Sequence, residues 1–410
     1  MQAVYVLPQA VQSRIVLVIA GTHYDQWTSA EVVRDLKDFS GSFRFALYDP
    51  LRSGNTFAYA STGPLISLEP GPAVEILVDG ELVLKGHIED VSVDIDEGHA
   101  SVEITGRDKT GDLVDSAALT DGPAEFNNVK LEEAIKRIAQ PFGLTVRSEV
   151  DTGEPFSRYS LDLAETAFSA SEKGARSRHA LVLSDGVGGI VITRTGAKRA
   201  PDDLTLPGNV QSSSRRYSHR GRHSKTHVRG QGERAGQKKR GAANLDVSAE
   251  PLSPDDRKPG DGSATEQERK GTVASGVSVD EEITRHRPIV HLARSKADGQ
   301  ACQDEADWRM RNSRTEGEQL TYKVQGFSAN GQLWRVNEIA AVDDAYQNIS
   351  RDMLISRVAN RHDERGAITE LSIVSPESFD KKAVGNRRKN GKGKKSKHKG
   401  GPLDGSAQAI

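Results

Sequence analysis

The feature that most constrains the fold of this chain is a change of hydrophobic period at residues 106–118, which read GRDKTGDLVDSAA. Before this segment, residues 101–105 alternate polar and apolar side chains, as a half-buried strand does. After it, apolar residues recur at helical spacing. Its two glycines allow unusual backbone angles, and its Asp and Thr side chains can cap a short helix or accept hydrogen bonds from nearby amides. We therefore predict an elbow between a β-rich section and a section that contains helices.

The charges of this elbow have a second interpretation. Arg107, Asp108, Lys109 and Asp112 could form an ionic catalytic cluster. Charged residues in a turn are, however, usually solvated or paired locally. The structural interpretation is favoured.

The composition limits what the 410 residues can be. This length suits two or three domains, but only 35% of the residues are hydrophobic and 28% are charged, so part of the chain is predicted to lie outside any core. No run approaches the roughly 20 apolar residues of a membrane span, and no signal peptide is expected. Cys302 is the single cysteine. A single cysteine excludes an intrachain disulfide and a cysteine-based zinc site. The sequence around Cys302 also lacks residues that would activate its thiol as a nucleophile.

The first hundred residues are predicted to form a small antiparallel β-barrel or sandwich of about six strands. Residues 39–47 alternate well, and Asp79-Gly80 between two apolar runs is a strong hairpin signal. A strand at 11–20 and a turn at 22–27 open the section, and further strands are predicted at 39–47, 65–69, 73–78, 82–87 and 88–94.

An α+β unit is predicted to follow. Residues 128–139 have the spacing of an amphipathic helix, which Pro141 and Gly143 end, and a second helix is expected over 163–175. A strand is predicted at 144–150, and strands 180–184 and 189–193 should form a hairpin. The Gly-rich turn of that hairpin could suggest phosphate binding, but it lacks the Lys-Ser/Thr of a P-loop and precedes a strand.

Residues 212–275 are polar and cannot bury enough apolar surface to fold alone, except for a predicted strand at 224–231. His219, His223 and His227 are spaced by four, which on a helix would suit a metal ion. Gly221 and the surrounding Arg and Ser residues argue against a helix. Solvated histidines are therefore favoured over a zinc or nickel site.

The last third is predicted to form a second β-domain. Its expected elements are a strand at 289–292, a charged helix at 297–315, and strands at 320–326, 333–336, 349–358 and 367–374. Asn330-Gly331 signals a tight turn. Trp334 could be a recognition aromatic, but a Trp in a hairpin strand more often packs in a core or a subunit interface.

The charge of the chain is divided unevenly. Ten of its 56 Lys and Arg residues lie in residues 381–399 with no acid among them, which leaves 46 basic against 58 acidic residues elsewhere, a net charge of −12. This low-complexity tail is predicted to be disordered. It could condense on nucleic-acid phosphates, dock on an acidic protein or simply remain solvated.

No catalytic motif of a known class is present. The chain lacks a Gly-x-Ser-x-Gly elbow, a His-Glu-x-x-His sequence, a P-loop and the paired carboxylates of a sugar cleft. The sequence therefore predicts an assembly or binding protein that is not an enzyme and needs no cofactor or metal.

Four segments resemble the baseplate hub family, the tail protein P type, of Mu-like contractile-tailed bacteriophages. Residues 106–118 resemble the family's Gly-Arg-Asp-Lys-Thr-x-Asp-Leu run. Three further segments follow in the family's order and together cover most of residues 10–375. They are LEEAIKRIAQPFGLTVR at 131–147, TRHRPIVHLARS at 284–295 and GFSANGQLWRVN at 326–337.

The resemblance implies a mainly β protein with two small antiparallel β-barrel domains, an α+β domain, a long disordered loop and a basic tail. The implied function is that of a structural baseplate hub: a homotrimeric ring that joins the tail tube to the central spike, contacts baseplate wedge proteins and contributes to the DNA ejection channel. It would lie in the virion tail baseplate after assembly in the host cytoplasm, and contact with phage DNA would be transient and non-specific. The implied domains are a barrel at 1–105, the elbow at 106–118, the α+β domain at 119–210, a second barrel from 211–231 and 281–375, a disordered excursion at 232–280 and a disordered tail at 376–410. The candidate structural or interface residues are Gly106, Arg107, Asp108, Asp112, Gly326, Trp334 and Asn337.

Two other functions stay open from the sequence. A tail-associated cell-wall hydrolase would need roughly 100 folded residues of its own, and no such block remains. The α+β unit could instead be a glycan-binding module that resembles LysM.

Overall fold

The computed structural model describes residues 14–25, 27–48, 69–96, 99–120, 122–178, 180–231, 273–293 and 299–376. The predicted strand at 65–69, except for its last residue, the excursion up to residue 272 and the basic tail after residue 376 lie outside the described residues. Among the described residues, no helix has the length and apolarity that crossing a bilayer requires.

The N-terminal section is a set of seven antiparallel strands that ends at the elbow. Alternation places Val32, Phe43 and Phe45 on one face, where each is almost fully buried. Asp79 and Gly80 both have positive φ, as the predicted hairpin turn requires. The strands are β1 Ile15–Ile19, β2 Thr22–Tyr24, β3 Ser29–Asp35, β4 Ser42–Tyr48, β5 Ala73–Val78, β6 Glu81–Asp96 and β7 His99–Asp108.

The elbow continues into the α+β domain. Helix α2 buries one apolar stripe and ends at a 3₁₀ turn that closes on left-handed Gly143, as Pro141 and Gly143 predicted. Helix α3 begins after Thr166, whose side chain caps it, and therefore later than expected. The elements are α1 Gly111–Asp115, β8 Glu125–Val129, α2 Leu131–Ala139, β9 Thr145–Ser148, β10 Phe156–Ser160, α3 Ala167–Ser177, β11 Leu181–Ser184 and β12 Gly189–Thr193. The order β11-β12-β9 and the pair β8-β10 form its two small sheets.

The C-terminal section begins with three strands between residues 198 and 217: β13 Lys198–Arg199, β14 Leu204–Leu206 and β15 Val210–Tyr217. A small sheet with one helix then interrupts this section. The chain then makes a separate three-stranded sheet in the order β17-β16-β18, from β16 Lys225–Gln231, β17 Val273–Val279 and β18 Pro288–Leu292. Helix α4, Gly299–Gly317, covers one face of that sheet through Cys302 and Ala306.

This sheet corrects two predictions. Residues 224–231 were expected to enter the second barrel, and the end of the 232–280 excursion was expected to be disordered. Instead, β16 pairs with β17 over its whole length and with β18 in parallel. The alternation of residues 273–279 was diluted by Gly and Ser, which leave little apolar signal although Val228, Cys302 and Ala306 form a core beneath them.

Four of the remaining strands complete one large sheet: β19 Glu318–Gln325, β22 Glu338–Asp344, β23 Ile349–Asp363 and β24 Gly366–Val374. The other two, β20 Ser328–Ala329 and β21 Gln332–Leu333, form a separate two-stranded sheet. The large sheet has 14 strands, with the continuous order β15-β19-β24-β23-β3-β4-β7-β6-β5-β1-β2, and β22 pairs with β23, β13 and β14. The fold is mainly β, as predicted. Within the described ranges the strands do not close into rings, so the predicted pair of closed barrels is not observed.

Two apolar cores lie on this sheet, one for each half. The N-terminal half packs around Phe43, Phe45 and Leu84, and the C-terminal half packs around Tyr322, Trp334 and Met353. The halves meet where β3 pairs with the second part of β23. The large sheet is therefore two packed units joined edge to edge by backbone hydrogen bonds.

The two halves repeat the same strand order. In the N-terminal unit, the strands β3, β4, β5, β6 and β7 lie in the order β5-β6-β7-β4-β3. In the C-terminal unit, β15, β19, β22, β23 and β24 lie in the order β22-β23-β24-β19-β15, again all antiparallel. Both long strands, β6 and β23, carry a bulge at the same distance from the following turn, at Glu89 and at Ser356. The chain thus contains one five-stranded unit twice.

Candidate functional site

The carboxylate of Asp108 joins the elbow to two other parts of the chain. It is 3% exposed. One oxygen accepts hydrogen bonds from the Ser40 Oγ and the Thr110 N–H, at 2.9 Å each, and from the Thr110 hydroxyl. The other accepts from the Gly41 N–H at 2.9 Å and the Ser184 Oγ at 2.8 Å. Asp108 therefore fixes the start of β4, the start of α1 and the β11–β12 hairpin together.

The β11–β12 hairpin is held on the N-terminal unit from a second side. Arg34 on β3 donates to the Ser184 carbonyl, and the Lys85 N–H donates to the Gly186 carbonyl at 2.7 Å. Burial lowers the pKa of Arg34, whereas the nearby carboxylates Asp108 and Asp185 raise it. A Cβ on Gly186 would lie 2.1 Å from Arg34 Nη1 and 2.3 Å from the Val83 carbonyl. Only glycine allows this close approach between the two domains.

Gly106 and Arg107 have different roles in the elbow. A Cβ on Gly106 would lie 2.1 Å from the His87 carbonyl and 2.5 Å from the Phe43 ring, so the position requires glycine. The Nε of Arg107 donates to both carboxylate oxygens of Glu89, at 2.8 and 2.9 Å, and its Nη2 donates to Asp115. The hydrogen bond to Asp115 raises the pKa of Arg107. These contacts tie β6 and α1 to β7.

Asn337 links the end of the α+β domain to the C-terminal unit. Its side chain accepts from the Gly196 N–H and donates to the Arg194 carbonyl, at 2.9 Å each, and its N–H donates to the Ile355 carbonyl at 2.9 Å. Its φ of 65° is left-handed, which Asn tolerates better than most residues. Gly326 likewise has positive φ at the end of β19, and its carbonyl accepts from Thr369 Oγ1 at 2.7 Å.

Trp334 is a core residue within the chain. It is 4% exposed and packs with the apolar core of the C-terminal unit. Its neighbour Arg335 instead forms an ion pair with Glu81 on β6 of the N-terminal unit. The predicted turn at Asn330 and Gly331 forms, with positive φ at both residues. This short hairpin therefore contributes one residue to the core and one to the contact between the units.

A cleft of about 170 Å³ lies where the two units and the α+β domain meet. Arg34, Ser184, Trp334 and Asn337 are among its lining residues. Glu338 also lines it, is 9% exposed, and has one carboxylate oxygen without a hydrogen-bond partner. Burial raises the pKa of Glu338 to about 7. Two of its charged lining residues, Arg34 and Arg335, are engaged in contacts between domains.

The seam between the units carries a ladder of alternating charge on the sheet face opposite the cores. Arg361 on β23 lies 2.9 Å from Glu31 on β3 and 3.2 Å from Glu370 on β24. Lys323 on β19 continues the ladder at 3.7 Å from Glu370. Exposed pairs are each worth at most about 1 kcal/mol, but a network of them specifies register.

The region where the two units and the α+β domain meet, called the junction below, contains only some of the predicted site residues. Asp108, Trp334 and Asn337 all lie around it, and the elbow interpretation of Asp108 agrees with its contacts to main-chain amides. Asp112 is exposed in the first turn of α1. Arg34 was not among the predicted site residues, although it lies on the core face of β3, two residues after buried Val32, and a charged residue at such a position is a signal in the sequence.

The other candidate sites do not assemble. His219 lies in a loop and His227 lies on β16, so the spacing of four does not place them on one helix face. In the described part of the chain, no group of three or more His, Cys, Asp or Glu residues could hold a metal ion. Cys302 is fully buried under β17.

Three family models match separate parts of the chain. The model of the Mu phage baseplate assembly protein GpP-like N-terminal domain matches residues 14–108. The model of the baseplate hub protein gp44-like second domain matches residues 110–194. The model of the Mu phage baseplate assembly protein GpP fourth domain matches residues 298–382. The boundary between the first two models falls at Asp108, where the elbow was predicted.

Full-length similarity agrees with the domain models. The chain is 27% identical over 406 residues to baseplate hub protein gp44 of Escherichia phage Mu, covering 98% of this chain and 96% of that protein. The 43 kDa tail protein of prophage MuSo2 from Shewanella oneidensis has a similar structure, with a TM-score of 0.72 and 27% identity over 89% of this chain and 99% of that one. The tail protein from Neisseria meningitidis MC58 has a TM-score of 0.66 and 18% identity, covering 90% and 98% of the two chains.

Proposed function

We propose, from the premise that this chain belongs to the family of Mu-type phage baseplate hub proteins, that three copies form a ring which joins the tail tube to the central spike. The ring would contact wedge proteins at its outside and surround part of the DNA ejection channel. It would assemble in the host cytoplasm and remain in the tail baseplate of the virion.

The observation that carries this proposal is the repeated five-stranded unit. Two units with the same strand order lie side by side in one sheet, each with its own core. Three such chains would present six similar positions around one axis. That arrangement can meet a sixfold tube on one side and a threefold spike on the other. In such a ring, each five-stranded unit would form a barrel domain by packing against the neighbouring units.

The junction around Asp108 supports a mechanical role. A hub under load during contraction needs domains that do not shift against each other. Asp108, Arg34 and Asn337 each bond across a domain boundary, and two of the three are at least nine-tenths buried. Buried, fully satisfied networks of this kind make a structure rigid.

The basic tail after residue 376 gives the ring a second contact. Its ten positive charges would bind DNA phosphates without reading sequence, and the binding would weaken as salt rises. Such contact suits a channel through which DNA must keep moving.

Light scattering on the purified chain, alone and with the spike protein of the same phage, tests the proposal. We expect a mass of three times the 44.4 kDa chain, or that mass once spike is added. A monomer that ignores the spike at all concentrations would refute the ring. The hydrolase and glycan-binding alternatives are checked with purified peptidoglycan, by loss of turbidity and by pull-down. Residues 110–194, which would have to carry a LysM-like module, match a hub domain instead.

A further inference from the structure

The two repeated units differ at one edge. In the C-terminal unit, residues 357–362 of β23 pair with β24 on one side and with β3 on the other. In the N-terminal unit, residues 90–95 of β6 pair with β7, but among the described residues no strand pairs with their other side, since β5 ends at the first part of β6. The position that β3 fills in one unit is therefore open in the other.

Equivalent residues can be assigned from the hydrogen-bond register. Asp96 faces His99 beside the first turn and Asp363 faces Gly366 beside the second, so equivalent residues of these hairpins differ by 267 in number. Residues 90–95 correspond to residues 357–362. The open edge of β6 thus matches the very stretch of β23 that receives β3.

The same register identifies the strand equivalent to β3. In the N-terminal unit, Glu31 lies opposite Arg44 on the next strand, and Arg44 lies opposite Thr105. In the C-terminal unit, Ser214 lies opposite Thr321 in the same way, and Thr321 lies opposite Ser372. Because Ser372 is equivalent to Thr105, β15 is equivalent to β3. β15 pairs only with β19 and ends the sheet, so its outer edge is also open within the described part of the chain.

Side-chain exposure supports this correspondence. Val358 and Asn360, on the stretch of β23 that receives β3, are 2% and 5% exposed. Val91, the equivalent of Val358, is half-buried against the N-terminal core. Val93, the equivalent of Asn360, and its neighbour on the same face, Ile95, are 50% and 53% exposed, and Tyr217 on β15 is 49% exposed. Val93 and Ile95 lie on the core face of the sheet, and no strand of the described residues covers them. Alternating strands expose such residues where an edge awaits a partner.

Charge explains which strands pair. The residues equivalent to Arg357 and Arg361, which bind Glu31, are Asp90 and Asp94. Acids at this edge would repel a β3 strand that carries Glu31. β15 instead carries Arg216, which is exposed and forms no ion pair with another described residue, as is also true of Asp90 and Asp94. The register of the β3–β23 pair, transferred to β15 and β6, places Arg216 opposite Ser92 and between the two acids.

We infer that β15 of one chain adds to residues 90–95 of β6 in a second copy of the chain, antiparallel, with Arg216 opposite Ser92 and Tyr217 opposite Val91. This inference rests on the proposed ring and names its interface. The contact repeats between chains the pairing that β3 and β23 make within a chain. Since the two edges lie at different places in one continuous sheet, the contact is head-to-tail, and it links copies into a ring where the rotation between them closes.

Cysteine cross-linking tests the register. Directly opposite residues of antiparallel strands have Cα atoms about 4.5 to 5.5 Å apart, within reach of a disulfide. We expect a chain with Ser92→Cys, mixed and reassembled with a chain with Arg216→Cys and then oxidised, to give a two-chain band on a non-reducing denaturing gel. Neither variant alone should give it. A mixture of Ser92→Cys with Arg215→Cys is the matched control, because a shift of one residue turns the side chain to the other face.

Charge reversal tests the recognition. We expect Arg216→Glu, or Asp90→Lys with Asp94→Lys, to raise the concentration at which the assembly half-dissociates by at least about tenfold, and a mixture of the two variants to restore it. Arg229→Glu makes the same change of charge at an exposed position of β16 and should leave this concentration unchanged. Light scattering distinguishes the outcomes. A trimer that neither cross-links nor responds to reversal overturns this pairing and leaves the proposed function standing. A chain that stays monomeric overturns both. Cross-linked chains that continue beyond three support the pairing and overturn the three-copy ring.

Discussion

Replacing Asp108 with Ala should loosen the α+β domain from the N-terminal unit. The carboxylate accepts from two main-chain N–H groups and three hydroxyls, which belong to Ser40, Thr110 and Ser184. The hydroxyls can rotate towards other acceptors or water. The N–H groups of Gly41 and Thr110 cannot, because they are fixed in the backbone of a buried turn.

The magnitude follows from those two donors. A buried donor without a partner costs about 1 to 3 kcal/mol, so two of them cost about 2 to 6 kcal/mol, and we expect a loss of about 4 kcal/mol in the free energy of unfolding. Asp108→Asn keeps one acceptor oxygen but turns an NH₂ group towards donors, so its loss should be about half as large. Asp112→Ala changes an exposed carboxylate one helical turn away and should stay within about 0.5 kcal/mol of the parent protein.

Urea unfolding, followed by circular dichroism, would measure these differences, with amide hydrogen exchange to locate them. The exchange should accelerate first in the β11–β12 hairpin and at the start of α1, where the contacts of Asp108 end. If Asp108→Ala unfolds within about 1 kcal/mol of the parent protein, or if the accelerated amides lie elsewhere, the carboxylate is not the link between these domains.

Three further substitutions test the rest of the junction. Asn337→Ala should cost about 2 to 3 kcal/mol, and Asn337→Gly about 1 kcal/mol less, since both lose the same hydrogen bonds but glycine accepts the positive φ; thermal unfolding compares them. Trp334→Ala should cost about 3 to 5 kcal/mol by opening a cavity in the C-terminal core, whereas Trp308→Ala, at a half-buried helix position, should cost less in the same assay. Glu338 has a folded pKa of about 7, above its unfolded value of 4.5, so it favours folding at low pH and this contribution is lost as pH rises through that window. Glu338→Gln should therefore gain stability relative to the parent from pH 4.5 to 7 in urea titrations, and a constant difference across that range would contradict the assignment.

Local hydrophobic patterns were sufficient to predict a strand or helix that buries one of its two faces in a core. The alternation in β4 and the apolar stripe of α2 are strong because Phe43, Phe45, Leu131 and Ile135 all lie in cores. β22 was missed because five of its seven residues are buried and they lie on both faces of the strand, so its sequence shows no clear alternation. β15 was missed for the opposite reason, since five of its eight residues are Ser or Arg and its outer edge has no partner in the described chain.

The junction was less predictable than the strands. Asp108 was identified as a turn residue because Asp before a short helix is a local signal. Its partner Ser184 lies 76 residues away in sequence, and a serine in a hairpin carries no mark of a distant contact. Which sheet a strand joins is decided by long-range pairing, so the alternation of residues 225–231 predicted a strand but not its separation from the large sheet.

The repeated unit shows why the duplication is hidden in the sequence. Phe43 faces Gly106 across the N-terminal unit, and the equivalent pair in the C-terminal unit is Leu320 and Ile373. One unit thus fills this position with a large ring over a glycine, and the other with two residues of middle size. The charges at the strand edges have changed in the same paired manner, from Arg357 and Arg361 to Asp90 and Asp94. The repetition of the two units is therefore visible in strand order and bulge position rather than in residue identity.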